Sequence, residues 1–176
     1  SFTTPGVGGF DVKMYIPDPD AVAICEEILA AGIDRIEVPL NSPEPFDSIA
    51  RIVDAMGDRA LIGAGTVLSV ADVDKVNAAG GRLIVSPDCN PEVIAHTKAL
   101  GLQSYPGVMT PTECFAALRA GADGLKFFPG DMIGPVGLKA VRAVLPKGTE
   151  AYAVGGANPS NFKEWVATGA TGFGIG

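Results

Sequence analysis

The sequence predicts a (β/α)8 barrel, the TIM-barrel class of α/β folds, and three observations carry that expectation. Apolar, strand-like runs alternate with helix-like segments along nearly the whole chain, the pattern of a parallel sheet covered by helices. Glycine recurs as the stop behind the helical segments, at Gly32, Gly57, Gly80, Gly101 and Gly121. Eight strand-like runs can be counted, and no Gly-rich dinucleotide fingerprint follows the first, so a closed barrel is favoured over an open doubly wound sheet. With 176 residues the chain is short beside the ~250 typical of such barrels. It reads as one domain over 1–176, because two halves would each be marginal.

Residues 1–9 are rich in Gly, Thr and Pro, and 1–16 is expected to be an irregular N-terminal segment, with 11–16 as an irregular first strand. Pro17-Asp18-Pro19-Asp20 supplies a turn and a helix N-cap, and 21–31 is an apolar helix ending at Gly32. A strand follows at 33–40. Asn41-Ser42-Pro43 then opens a helix through Phe46, Ile49, Ile52, Val53 and Met56. Strands at 60–65, 82–87 and 102–105, the last running into a Pro106-Gly107 turn, alternate with helices at 69–79, 91–100 and 110–120. The strand holding Lys126 comes next, then a helix from about 136 to 145 and a strand at 150–154. A helix at 159–168 carries the single tryptophan, Trp165, and a last strand occupies 171–176. The sequence stops at that eighth strand, so it reads as truncated and the fold is expected to lack its last helix.

Hydrophobic residues make up 47% of the chain and charged residues 19%, a globular composition rather than a disordered one. No apolar run reaches the ~20 residues that cross a bilayer, and no signal-peptide pattern opens the sequence. A net charge of −7 argues against nucleic acid or an anionic membrane as partner. An anionic small ligand would have to be held by local groups against that field. Cys25, Cys89 and Cys114 form no Cys-x-x-Cys or Cys/His cluster. Cys25 and Cys114 read as small buried hydrophobes and Cys89 as a loop residue, which fits a reducing cytoplasm. His96 is the only histidine and reads as a solvated helical residue, which leaves a His-rich metal site or a Ser-His-Asp triad without members.

The chemistry concentrates at strand ends, where barrels of this class place their active sites. Lys126 stands inside an otherwise apolar strand, between Leu125 and Phe127, whereas the other lysines fall in helix-like or loop-like stretches. Burying an ammonium is costly unless it is paired or becomes a neutral amine. A neutral amine facing a cavity is a nucleophile towards ketones and can form a Schiff base. Glu37 alternates with Ile36 and Val38; if those two face the helices, Glu37 faces the barrel interior. An enclosed acid and amine also fit a buried structural ion pair. Gly63, Gly65, Gly155, Gly156, Gly174 and Gly176 stand where strands hand over to loops. The last four fall at the ends of the seventh and eighth strands, where barrels commonly hold phosphate, although tight βα turns also use glycine for steric reasons.

Four motifs in order carry a resemblance: Ile36-Glu37-Val38-Pro39-Leu40-Asn41-Ser42-Pro43, Gly63-Ala64-Gly65-Thr66-Val67-Leu68, Leu125-Lys126-Phe127-Phe128-Pro129 and Ala153-Val154-Gly155-Gly156. Over about 21–176 the chain resembles the class I 2-keto-3-deoxy-6-phosphogluconate and 6-phosphogalactonate aldolases. Asn41 and Val154 resemble the phosphogalactonate branch; the phosphogluconate branch tends to carry Arg after the strand-two motif and Thr in place of Val154. The resemblance implies a homotrimeric barrel that splits 2-dehydro-3-deoxy-6-phosphogalactonate into pyruvate and D-glyceraldehyde 3-phosphate, with no metal and no cofactor. It implies that Lys126 forms an iminium with the C2 ketone, supplying the polarisation that a class II aldolase takes from zinc. Glu37 is implied as the proton shuttle. Thr66, Pro87, Pro106 and Gly107 match positions lining the pyruvate moiety, and Gly155, Gly156, Gly174 and Gly176 match the phosphate end. The family's first strand normally carries Ile-Leu-Arg-Gly; here no arginine precedes Arg35, and Lys13 is the substitute on offer, without the bidentate fork. That departure motivates one alternative, a catalytically impaired barrel used as a trimeric scaffold. The other alternative is the phosphogluconate aldolase.

Overall fold

The alternation of strand and helix becomes one parallel sheet in the computed structural model, which describes residues 10–13 and 20–175. Its strands are β1 (Phe10–Lys13), β2 (Arg35–Pro39), β3 (Leu61–Gly65), β4 (Leu83–Val85), β5 (Gln103–Tyr105), β6 (Gly107–Val108), β7 (Gly124–Phe127), β8 (Glu150–Val154) and β9 (Gly172–Ile175). Between them run α1 (Ala21–Ala30), α2 (Pro45–Met56), α3 (Val70–Ala78), α4 (Pro91–Ala99), α5 (Pro111–Ala120), α6 (Gly130–Arg142) and α7 (Phe162–Ala167).

The ladder order is β5-β4-β3-β2-β1-β9-β8-β7-β6. Its two ends, β5 and β6, are successive pieces of one extended segment interrupted at Pro106, which has no N–H to donate. One flank of that segment accepts from Asp123 N at Ser104 O (3.0 Å), from Lys126 N at Pro106 O (2.9 Å) and from Phe128 N at Val108 O (3.2 Å). On the other flank Ser86 N donates to Tyr105 O (3.2 Å) and Gly107 N donates to Asp88 O (3.1 Å). The ladder therefore returns on itself as a (β/α)8 barrel, with β5 and β6 together serving as the fifth strand. The sequence placed that strand at 102–105 and read Pro106-Gly107 as a turn; the chain instead stays extended through Val108.

The first strand is regular where it is described. β1 pairs in parallel with β2, Lys13 standing opposite Glu37, and with β9, Asp11 standing opposite Gly174. The rest of the 1–16 segment expected to be irregular lies outside the described residues, as does Gly176.

Side-chain alternation sorts the core into an outer layer and an interior. Ile36 and Val38 of β2 pack with Ile49, Ile52 and Met56 of α2 and with Val73 and Val76 of α3. Leu125 and Phe127 of β7 pack with Cys114 and Ala117 of α5, Leu138 of α6 and Trp165 of α7. The intervening positions turn inward, where Leu83, Val85, Tyr105 and Tyr152 form a separate cluster. Helix starts follow their cap residues: the Ser69 hydroxyl accepts from Asp72 N, and the Asn90 side chain accepts from Glu92 N and Val93 N. One helix differs from expectation. α6 begins at Gly130, because its first turn is set off from the rest by Gly134 (φ 64°, ψ 169°). Gly134 precedes Pro135, and a pre-proline residue is pushed out of the helical region. The sequence reading of about 136–145 caught only the second piece. Among the described residues no helix is long and apolar enough to cross a membrane.

Candidate active site

Among the described residues, two charged side chains are buried inside the barrel. Lys126 on β7 is 4% exposed and Glu37 on β2 is 2% exposed, each flanked by neighbours committed to the outer core. That placement is the one read from the sequence. The Lys126 Nζ lies 5.1 Å from the centroid of the Phe128 ring, which stands at the mouth of the barrel. Glu37 owes its place to a neighbouring glycine. A Cβ on Gly65 of β3 would fall 1.1 Å from Glu37 Oε2, so the carboxylate fills the volume that any larger residue would need.

The remaining sequence-expected residues, Gly176 apart because it lies outside the described residues, gather at the same C-terminal end of the strands. Thr66, directly after β3, has φ 60°, an uncommon left-handed conformation for a β-branched residue and one met at sites that constrain the backbone. Pro87 and Gly107 are in contact: a Cβ on Gly107 would lie 2.1 Å from Pro87 O. Val154 and Gly174 are likewise adjacent, a Cβ on Gly174 falling 2.7 Å from Val154 Cγ2. Gly155 and Gly156 have φ 89° and 75°, and Gly155 folds onto the start of α6, where its O would lie 2.4 Å from a Cβ on Gly130. Asn41 is exposed just beyond β2, next to Ser42, whose hydroxyl donates to Pro39 O at 2.6 Å. Pro106 is buried and accepts the Lys126 N–H, so it ties the lysine strand to the fifth strand.

Below this layer lies a polar floor that the sequence reading passed over. Arg35, two residues before Glu37, points inward, and its Nη1 donates to the Tyr105 hydroxyl at 2.9 Å and to the Tyr152 hydroxyl. The Tyr152 hydroxyl donates to Glu150 Oε2 at 3.0 Å, and Arg35 Nη1 lies 3.6 Å from the same carboxylate. The two rings meet edge to face with centroids 5.3 Å apart. Burial pushes the Tyr105 phenol up to about 12 and the Tyr152 phenol further, so both stay neutral hydroxyls. Burial works against the Arg35 charge, but the phenols and Glu150 outweigh it and hold the guanidinium above its ordinary value. Period two could have found the floor, since Arg35 and Tyr152 stand two residues before Glu37 and Val154.

The family model for KDPG and KHG aldolase matches residues 13–176. The chain is 47% identical over 157 residues to a probable 2-dehydro-3-deoxy-6-phosphogalactonate aldolase of Rhizobium meliloti (strain 1021), covering 89% of this chain and 74% of that protein. It is also 47% identical over 160 residues to the 2-dehydro-3-deoxy-6-phosphogalactonate aldolase of Escherichia coli (strain K12), covering 91% of this chain and 78% of that one. Among solved structures, one described as native KDPGal superposes with a TM-score of 0.94 at 43% identity, over 99% of this chain and 84% of the other.

Proposed function

The chain belongs to the KDPG and KHG aldolase family, and from that premise we propose that it is a class I aldolase cleaving 2-dehydro-3-deoxy-6-phosphogalactonate to pyruvate and D-glyceraldehyde 3-phosphate. The observation that carries the mechanism is the burial of one amine and one carboxylate, Lys126 and Glu37, on the inner face of a barrel. The Lys126 amine adds to the C2 ketone, and the carbinolamine loses water to give an iminium. Glu37 takes the proton of the C4 hydroxyl, and the C3–C4 electrons move onto the iminium nitrogen as the aldehyde leaves. Protonation of the resulting enamine at C3, assisted by Glu37, and hydrolysis then release pyruvate and the free lysine.

Thr66, Pro87, Pro106 and Gly107 are the residues that would line the pyruvate moiety, and Asn41 and Val154 those that would read the C4 side. Gly155, Gly156, Gly174 and Gly176 would hold the phosphate through their backbone, which suits a chain whose net charge of −7 offers anions no general attraction. The reading carries a cytoplasmic homotrimer, whose contacts would cover the exposed Met132 and Val136 of α6.

Incubation with pyruvate and borohydride should add a pyruvyl mass to the peptide holding Lys126, and Lys126→Ala should lose both adduct and turnover. Turnover surviving in Lys126→Ala would overturn the mechanism. The phosphogalactonate substrate should turn over faster than its C4 epimer; the reverse preference would move the chain to the phosphogluconate branch.

A further inference from the structure

Arg35 separates two spaces. On its outer side it borders a cleft of about 480 Å³ at the N-terminal end of the barrel, together with Arg59 and Arg82. On its inner side it borders a small space that Lys126, Tyr105, Tyr152 and Val154 also line. The guanidinium is fixed there by both tyrosine hydroxyls, and it lies 5.5 and 5.8 Å from the two ring centroids. Because the phenols stay protonated, neither neutralises it. Its counter-charge, Glu150, is 42% exposed and is not among the residues lining the inner space. A positive charge therefore borders the space that Lys126 lines, and its partner carboxylate does not line that space.

We propose that Arg35 is a positioning residue for the Lys126 amine: its fixed charge disfavours the ammonium and enlarges the fraction of free amine available to a ketone at neutral pH. The inference rests on the Schiff-base reading of Lys126. Glu37 on β2 acts in the opposite sense, by favouring the ammonium. Lys13 stands opposite Glu37 in the β1–β2 register, Tyr105 and Tyr152 are neutral, and Glu150 and Asp34 partly offset Arg35. Charges in contact shift a neighbour by one to three pH units, so a charge that lines the same small space should contribute about one.

The test is the rate of covalent trapping by pyruvate and cyanoborohydride, followed by intact mass as a function of pH. In Arg35→Met the pH of half-maximal trapping should rise by about one unit, and Arg35→Lys should return it towards the starting value. Glu150→Gln removes the counter-charge and should move the half-point the other way, by a few tenths of a unit. A floor that only braces the barrel would lower the melting temperature in both variants and leave the half-point in place. A half-point that stays put in both variants, or moves the same way in both, overturns the proposal. Should Arg35→Met fail to fold, the direction of the Glu150→Gln shift decides alone. Absence of any adduct in the unsubstituted protein would overturn the Schiff-base reading instead.

Discussion

Gly65 shows how much of the site depends on what is not there. The Glu37 carboxylate occupies the volume a Cβ at Gly65 would take, so Gly65→Ala must displace either the carboxylate or the strand. A misplacement of ~1 Å can cost ~10²-fold in rate, and removing the proposed base through Glu37→Gln should cost ~10²–10⁴-fold. Steady-state kinetics should therefore show Gly65→Ala approaching Glu37→Gln in turnover, while Lys126 can still be trapped by pyruvate. Full activity in Gly65→Ala would show that Glu37 is not held by that contact. Lys126 and Glu37 were legible in the sequence because a charge inside an apolar strand is conspicuous. The role of Gly65 was not, because the group it makes room for comes from the neighbouring strand. Arg35 and the two tyrosines were hidden for a similar reason. Each is unremarkable in its own strand, and only the register across the barrel brings them together.

The helices were legible mainly through their ends. Thr110 and Glu113 form a capping box at the start of α5, the hydroxyl accepting from Glu113 N and the carboxylate accepting from Thr110 N at 2.8 Å. Thr110→Ala should lower unfolding stability by about 1 kcal/mol, measured by denaturant titration. Burial works to raise the Glu113 carboxyl, but hydrogen bonds from the Thr110 and Met109 N–H groups and the Thr110 hydroxyl outweigh it and hold it below the ordinary 4.5. A carboxyl lowered in the folded state stabilises fully above its unfolded value, and the contribution disappears as pH falls through the folded value. The melting temperature of Glu113→Gln should thus fall less steeply than that of the unsubstituted protein below about pH 4.5. Where an element broke its own pattern the sequence misled. Gly134-Pro135 hid the first turn of α6, and Pro106 disguised the continuation of the fifth strand as a turn.

For the barrel as a body, the closed ladder makes its parts interdependent. One outer core covers the β2–β4 side and another the β7–β9 side, and α4 straddles them, Val93 facing the first and Ile94 the second. Trp165, 2% exposed in the second core, should therefore report on both. At fixed protein concentration its fluorescence and the far-UV circular dichroism should trace the same denaturation curve. Two separated transitions would show that the halves melt independently. The class of fold was legible from the count and alternation of its units, since each is a local pattern. Closure through a strand divided at Pro106 was not, because it depends on which neighbours the two pieces find. The pairing of β1 with β9 has a consequence during synthesis. The partner of Phe10–Val12 on that side is not made until Ile175 leaves the ribosome, and at ~5–20 residues per second that takes roughly ten to thirty seconds. For that interval the nascent chain carries an open strand edge that other chains can pair with, which makes the last strand the step that ends its exposure to co-translational aggregation.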